Sequence, residues 1–337
     1  ATLGSALAPA VSSLLGDCPA LSSEGRSFPV DVRHLAGARP LGMAAAGHPR
    51  DVEADVADAV MDVLSASAGG DVLVFLPGER EIRGVQGRLS DGLPAAALAK
   101  LLVLPLYGAL PFDQQQRAIA PADPDDGRRR VILSTSLAES SLTISGVRHV
   151  VDSGLRRTSA YDPNVGMSAL VTRPISQAAA EQRAGRAGRV APGAAHRLWS
   201  GAEHKRLQPQ CLPEMSSTDL APLVLQLAAW GGSVHDAEVL SLPWLTPPPA
   251  AAMERARSLL LGLRALTTLD PAPAGEDGAS FAGAPQSVTI TPHGAALASL
   301  PTHPRLVHIL TLAARAADGA DAALEVACAA VAVIEER

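Results

Sequence analysis

Val72-Leu73-Val74-Phe75-Leu76, closed by Pro77-Gly78 and followed by a helical pattern from Glu79 to Leu89, is the stretch whose reading decides the fold. An apolar run this short, with no polar alternation, reads as a strand buried on both faces. Upstream, Val52, Val56, Val60, Val63 and Leu64 recur at helical spacing and stop near Gly69-Gly70. Downstream the alternation returns: strand Leu101 to Leu106, helix Phe112 to Ile119, strand Val131 to Ser134, a helical turn near Ala138, strand Val147 to Val151. Arg156 to Tyr161 and Met167 to Thr172 flank the turn-rich Asp162 to Gly166, a β-hairpin or a plain surface loop. Ala194 to Trp199 is expected to close the sheet. The implied class is α/β, a parallel sheet covered on both faces and joined by right-handed crossovers. Ligands in such sheets bind at the carboxyl ends of the strands. The segments expected there are Pro77-Gly78-Glu79, Tyr107-Gly108, Thr135-Ser136 and Asp152-Ser153-Gly154.

Outward from this core, Ser5 to Leu15 reads as a short helix, and Phe28, Val30 and Val32 alternate as a strand that could serve as a connector. Beyond residue 200 the pattern turns helical, with Leu220, Leu223, Val224 and Leu227 on one face and Met253, Ala256, Leu259, Leu260 and Leu263 on another. Two short strands, Leu266 to Leu269 and Val288 to Thr291, are joined by a Pro/Ala/Gly-rich loop, Pro271 to Gln286, expected to be mobile. Helices followed by a two-stranded ribbon suggest a winged helix. Leu306 to Ala317 and Ala322 to Glu335 read as two further helices that begin a bundle. Trp199, Trp230 and Trp244 are expected in the core or at domain contacts.

At 337 residues the chain is long enough for two or three domains. Hydrophobic content is 47% but aromatics are 3%, so the core must rest on Ala, Val and Leu. Lys100 and Lys205 are the only lysines, and the arginine excess suits phosphate recognition or a biased genome equally. A net charge of −6 excludes a uniformly basic nucleic-acid coat, so any such site is local. Cys18, Cys211 and Cys328 lie far apart, which indicates neither a disulfide framework nor a zinc site, and a reducing cytoplasm is the simplest location. No apolar run is long enough to span a bilayer. No metal constellation emerges: His303 and His308 are off helical ligand spacing and no HExxH occurs.

The stretch Gln182-Arg183-Ala184-Gly185-Arg186-Ala187-Gly188-Arg189 sets three arginines and a glutamine on what reads as the opening of one helix. Guanidinium forks, close-approach glycines and an amide suit polyphosphate; a solvated basic face is the bland alternative. No GxxxxGK[ST] loop is present, so this chain cannot cradle a nucleotide in the P-loop manner. The economical resolution is an arginine finger that completes, across an interface, a site whose phosphate loop lies elsewhere.

Gln182 to Arg189 resembles motif VI of the DEAH-box RNA helicases. Ser134 to Ile144 resembles their motif V, Phe75 to Ile82 motif IV, and Leu104 to Gly108 with Gln114 to Arg117 the region between. Pro213-Glu214-Met215, Trp244 to Pro249 and Ile334 to Arg337 look most like the bacterial HrpB-type branch. The resemblance covers essentially the whole chain. It implies that residues 1–27 are the tail of a first RecA-like domain, 28–200 a second RecA-like domain with hairpin 155–172, 201–300 a winged helix, and 301–337 the start of a ratchet-like bundle. ATP (or another NTP) and Mg²⁺ would be held mainly by the upstream domain, outside this chain.

Under the resemblance Gln182, Arg186 and Arg189 would face the γ-phosphate, while Arg183 holds the motif in place. Thr143 would contact the ribose, Ile119 would sit at the base-stacking position, and Gly108, Thr135 and Ser136 would touch RNA phosphates. Three departures stand out: Ser136 replaces a usual Asn, Ser140 a usual Thr, and Ile119 a frequent aromatic. The function implied is the C-terminal part of an ATP-dependent RNA helicase, inactive as an ATPase by itself. Single-stranded RNA is the implied partner, with DNA also open. The alternative is a non-catalytic RNA- or ribosome-binding adaptor on the same fold.

Overall fold

A computed structural model describes residues 7–21, 28–35, 41, 51–67, 69–123, 125–139, 142–162, 165–231, 239, 241–268, 288–316 and 320–335. The chain divides into two compact units. One takes in residues 21–158 and 170–212, and the other takes in 2–20, 159–169 and 213–337. The expected loop Pro271 to Gln286, Ser140 and the chain start at Ala1-Thr2 lie outside the described residues.

In the first unit six strands form one sheet: β1 (Val30–His34), β2 (Asp71–Phe75), β3 (Leu101–Leu106), β4 (Arg129–Ser134), β5 (Val147–Asp152) and β8 (Gly193–Arg197). Their order is β1-β8-β5-β2-β4-β3 and every pairing is parallel. β2 is central and wholly buried, as an apolar run between two covered faces must be. Its side chains alternate. Val72, Val74 and Leu76 join a cluster with α2 (Val52–Ala66) and α3 (Glu79–Gly92), while Leu73 and Phe75 face Ala118, Ala184 and Ala187 on the opposite side. α2 is opened by Asp51, whose carboxylate accepts from the Ala54 N–H at 3.0 Å, and it buries Val56, Val60 and Val63 at one-turn spacing.

The expected strand at Val30–His34 is the edge strand of the sheet. One sequence expectation needs correction here. Ala194 to Trp199 does not close the sheet, because β8 lies inside it, between β1 and β5. The run Phe28 to Val32 is too short and too mixed to announce its partner in sequence. Parallel pairing with β8 supplies its hydrogen bonds.

Registers align the strand ends in one row: Leu106 opposite Ser134, Ser134 opposite Phe75, Phe75 opposite Asp152, Asp152 opposite Arg197, Arg197 opposite His34. The four segments expected at the carboxyl edge all start from this row. β6 (Leu155–Asp162) and β7 (Met167–Pro174) pair as a separate two-stranded sheet, the hairpin, whose turn closes through the Gly166 N–H to the Asp162 carbonyl at 2.8 Å.

In the second unit the helices α8 (Ala221–Ala229), α9 (Ala250–Gly262), α10 (Pro292–Ala298) and α11 (Pro304–Ala314) share one core that includes Val224, Met253, Leu260, Leu297 and Val307. Strands β9 (Leu266–Thr268) and β10 (Val288–Ile290) form the expected antiparallel ribbon. A further helix, α12 (Ala320–Glu335), packs against α11. Trp199 is fully buried and Trp244 half-buried, but Trp230 is exposed, so it is not a core residue. Among the described residues no helix is long and apolar enough to cross a membrane.

Candidate functional site

The stretch Gln182 to Arg189 does not open a helix. The helix α6 spans Gln177–Ala184, starts at Ser176, whose hydroxyl accepts from the Ala179 N–H, and gives way to a 3-10 turn over Gly185–Gly188. The opening lies earlier because Ser176 is the better N-cap. The two glycines then loosen the following turn. This change of winding separates the arginines. They would share one face if the helix simply continued.

Arg183, on α6 proper, is fully buried. Its Nε donates to Glu139 Oε2 at 2.9 Å, its Nη1 to Asp152 Oδ1 at 2.9 Å and to the Leu155 carbonyl at 3.2 Å, and its plane lies 4.8 Å over the Phe75 ring. Two carboxylates outweigh the burial that opposes its charge, and its pKa is raised. Arg183 thus ties α6 to the ends of β2 and β5.

Arg186, on the 3-10 turn, is buried too, but among the described residues its bonds are to carbonyls, those of Leu142 and Glu139. Burial first, and the neighbouring Arg189 second, pull its pKa down to about 10, against the opposing pull of Glu139. It remains charged at neutral pH, with that charge undersupplied with counter-charge. Arg189 is exposed, and its Nη1 donates to Thr143 Oγ1 at 2.8 Å. Among the described residues neither Arg186 nor Arg189 forms an ion pair with a carboxylate. Gln182 is exposed one residue before the anchoring Arg183. Two adjacent guanidiniums without carboxylates, beside a hydroxyl, fit a polyanion such as a nucleotide phosphate.

The glycines divide in the same way. A Cβ on Gly188 would lie 2.5 Å from the Phe28 carbonyl oxygen and 2.7 Å from Val30, so Gly188 seats the turn against the start of β1. Gly185 has open space around it and leaves the surface between Gln182 and Arg186 uncluttered.

Thr143 and Ile119 are drawn together by a residue that sequence reasoning passed over. Arg130 is buried against Asp71, with its Nε donating to Oδ2 at 2.9 Å and its backbone N–H to Oδ1 at 3.0 Å. Its remaining donors reach the carbonyls of Ala120, next to Ile119, and Ser145, two residues after Thr143. Ile119 itself is half-buried and packs against the core beside Leu142. A charged residue at the start of an otherwise apolar strand, as both Asp71 and Arg130 are, is the signal that was available.

The expected phosphate contacts to RNA form a second group, at the carboxyl edge. Thr135 N–H donates to the Leu106 carbonyl at 3.1 Å, so the loop after β4 abuts the loop after β3. Ser136 begins a 3-10 turn with an exposed side chain, Thr135 is half-buried and caps that turn, and Gly108 is exposed with open space above it. The hydroxyls and free backbone suit a sugar-phosphate chain. Among the described residues no group of His, Cys, Asp and Glu could hold a metal ion.

Residues 55–191 match the helicase conserved C-terminal domain. The chain is 40% identical over 253 residues to the ATP-dependent RNA helicase HrpB of Escherichia coli (strain K12), an alignment covering 75% of this chain and 29% of that protein. The chain carries a helicase C-terminal domain. The chain is also similar to the pre-mRNA-splicing factor ATP-dependent RNA helicase prp22 of Schizosaccharomyces pombe, at 35% identity over 311 residues, 89% of this chain and 23% of that one. In three dimensions it matches the crystal structure of Escherichia coli DEAH/RHA helicase HrpB with a TM-score of 0.78 and 35% identity, over the whole of this chain and 37% of that one. The chain thus spans about a third or less of the length of these relatives. Its parallel sheet and flanking helices are those of a RecA-like domain.

Proposed function

We propose that this chain is the part of an ATP-dependent RNA helicase that completes the nucleotide site from across a cleft and carries part of the single-strand track. The observation that carries the reading is the contrast around Arg186. Its guanidinium is buried and, among the described residues, held by the Leu142 and Glu139 carbonyls, with Arg189 beside it, in a chain without a phosphate loop. Such a pair is preorganised for anionic charge that arrives from outside, which is the arrangement an arginine finger requires.

In this reading Arg186 and Arg189 neutralise charge that develops on the transferring phosphoryl group, and Gln182 orients the attacking water. Thr143, positioned by its bond from Arg189, contacts the ribose. Ile119 lies against the base with an aliphatic surface, weaker and less selective than an aromatic one. ATP with Mg²⁺, held mainly by a first RecA-like domain, supplies the phosphoanhydride and the metal charge. Gly108, Thr135 and Ser136 grip the backbone of single-stranded RNA. The hairpin β6–β7 bears on strand separation, the helices with the β9–β10 ribbon form a winged helix, and α11 and α12 begin a helical bundle. The setting is the cytoplasm. Arg186, buried and without a carboxylate ion pair among the described residues, favours the enzyme over a binding adaptor, which has no use for an unpaired buried charge.

The test is ATP turnover by this chain joined to a phosphate-loop domain, measured with and without single-stranded RNA or DNA. RNA-stimulated turnover is expected. Turnover indifferent to either polymer contradicts the single-strand track.

A further inference from the structure

Phe112 stands out against the rest of the chain. It occupies the first position of α5 (Phe112–Ile119) and is 75% exposed. Aromatics make up 3% of the sequence, and among the described residues the other exposed one is Trp230. Local packing does not account for it. Leu110, two residues earlier, turns inward and is buried, while the first helical position ordinarily suits Pro or an acidic residue.

The ring is carried on a fixed support. Gln115 Nε2 donates to the carbonyls of Leu110 at 2.8 Å and Gly108 at 3.2 Å, the Leu110 N–H reaches the Tyr107 carbonyl at 3.1 Å, and the Gln114 and Gln115 N–H groups both meet the Pro111 carbonyl at 3.1 Å. That support is the loop leaving β3 at the carboxyl edge, beside Thr135 and Ser136. A strand whose phosphates follow Gly108, Thr135 and Ser136 passes the loop that presents Phe112. With a net charge of −6, the chain gains little from long-range attraction to a polyanion, so a non-ionic contact matters more.

We infer that Phe112 is a base-stacking platform for single-stranded nucleic acid at the carboxyl edge of the sheet. The inference rests on the reading that this edge binds a nucleic-acid strand. Stacking on an aromatic face is tolerant of sequence, so the platform serves a protein that moves along a strand rather than one that reads it.

The experiment is fluorescence anisotropy of a labelled oligouridine strand, and of an abasic strand of equal length, titrated with the 337-residue chain. Phe112→Ala should weaken oligouridine binding by about 5- to 100-fold. The same change should leave abasic binding and the salt dependence of binding unaltered, and Phe112→Trp should restore affinity. Oligouridine binding by Phe112→Ala equal to that of the wild type overturns the platform and leaves the wider reading intact. An equal loss on the abasic strand also overturns it, because the contact is then to the backbone. Failure of the wild-type chain to bind either strand overturns the underlying reading and the platform with it.

Discussion

Arg183 and Arg186 are three residues apart, both buried, and built for opposite purposes. Arg183 sits between Glu139 and Asp152, its charge matched inside the fold, as that of Arg130 is matched by Asp71. Among the described residues Arg186 is bonded by two carbonyls, and burial first and Arg189 second bring its pKa down to about 10 against the pull of Glu139, where that of Arg183 rises. The difference teaches how to sort arginines in a chain that has almost no lysine. Arg183, with its two carboxylates, is structural, and Arg186, bonded by carbonyls beside a second guanidinium, awaits an anion. A buried charge lacking its counter-ion is costly, and it is kept where another molecule supplies the partner.

The sharpest way to break the comparison is to remove each arginine and read two properties. In a protein that includes the phosphate-loop domain, Arg186→Ala or Arg189→Ala should lower ATP turnover by roughly 10³-fold or more while leaving the unfolding midpoint near that of the wild type. Near-normal turnover in both variants ends their assignment as fingers. Arg183→Ala should instead cost about 3–5 kcal/mol in urea unfolding, because Asp152 and Glu139 lose their partner. If Arg189→Ala costs as much, the division between matched and unmatched arginines fails.

Smaller effects sharpen the boundary. Gly188→Ala forces a Cβ against the Phe28 carbonyl and should destabilise the chain by about 1–3 kcal/mol, whereas Gly185→Ala should stay within about 0.5 kcal/mol. The smallest effect is in pH. His149 and His196 have pKa values lowered from 6.5 by burial first and by nearby arginines, Arg129 and Arg33 respectively, second, so the fold holds them neutral. The unfolded chain then binds more protons, and stability is lost as pH falls through 6.5 until the folded-state values are passed. Urea midpoints between about pH 8 and about pH 5 should fall, and His149→Gln should flatten the decline. Arg186, charged throughout that window, should contribute nothing to it.

Much of this was legible in the sequence because it is written in short-range pattern. The apolar run at Val72 to Leu76 fixed a central parallel strand, and the alternation around it fixed the layers. The motif series placed Gln182, Arg186, Arg189 and Thr143 in one neighbourhood, and the Arg189 to Thr143 bond joins two of them. What sequence could not show is set by long-range pairing. Nothing in Val30–His34 announces that it covers β8, and nothing in Gln182 to Arg189 announces where the helix ends, since Ser176 and the glycines act together. Arg130 and Asp71 looked like ordinary strand termini, yet their pair ties the end of α5 to the loop that carries Thr143.

The central claim is that Arg186 and Arg189 form half of a nucleotide site. Steady-state ATP hydrolysis by the purified 337-residue chain, alone and then joined to a phosphate-loop domain, tests it most directly. The expected result is no appreciable turnover alone and RNA-stimulated turnover when joined, abolished by Arg186→Ala. Robust hydrolysis by the chain alone would contradict it.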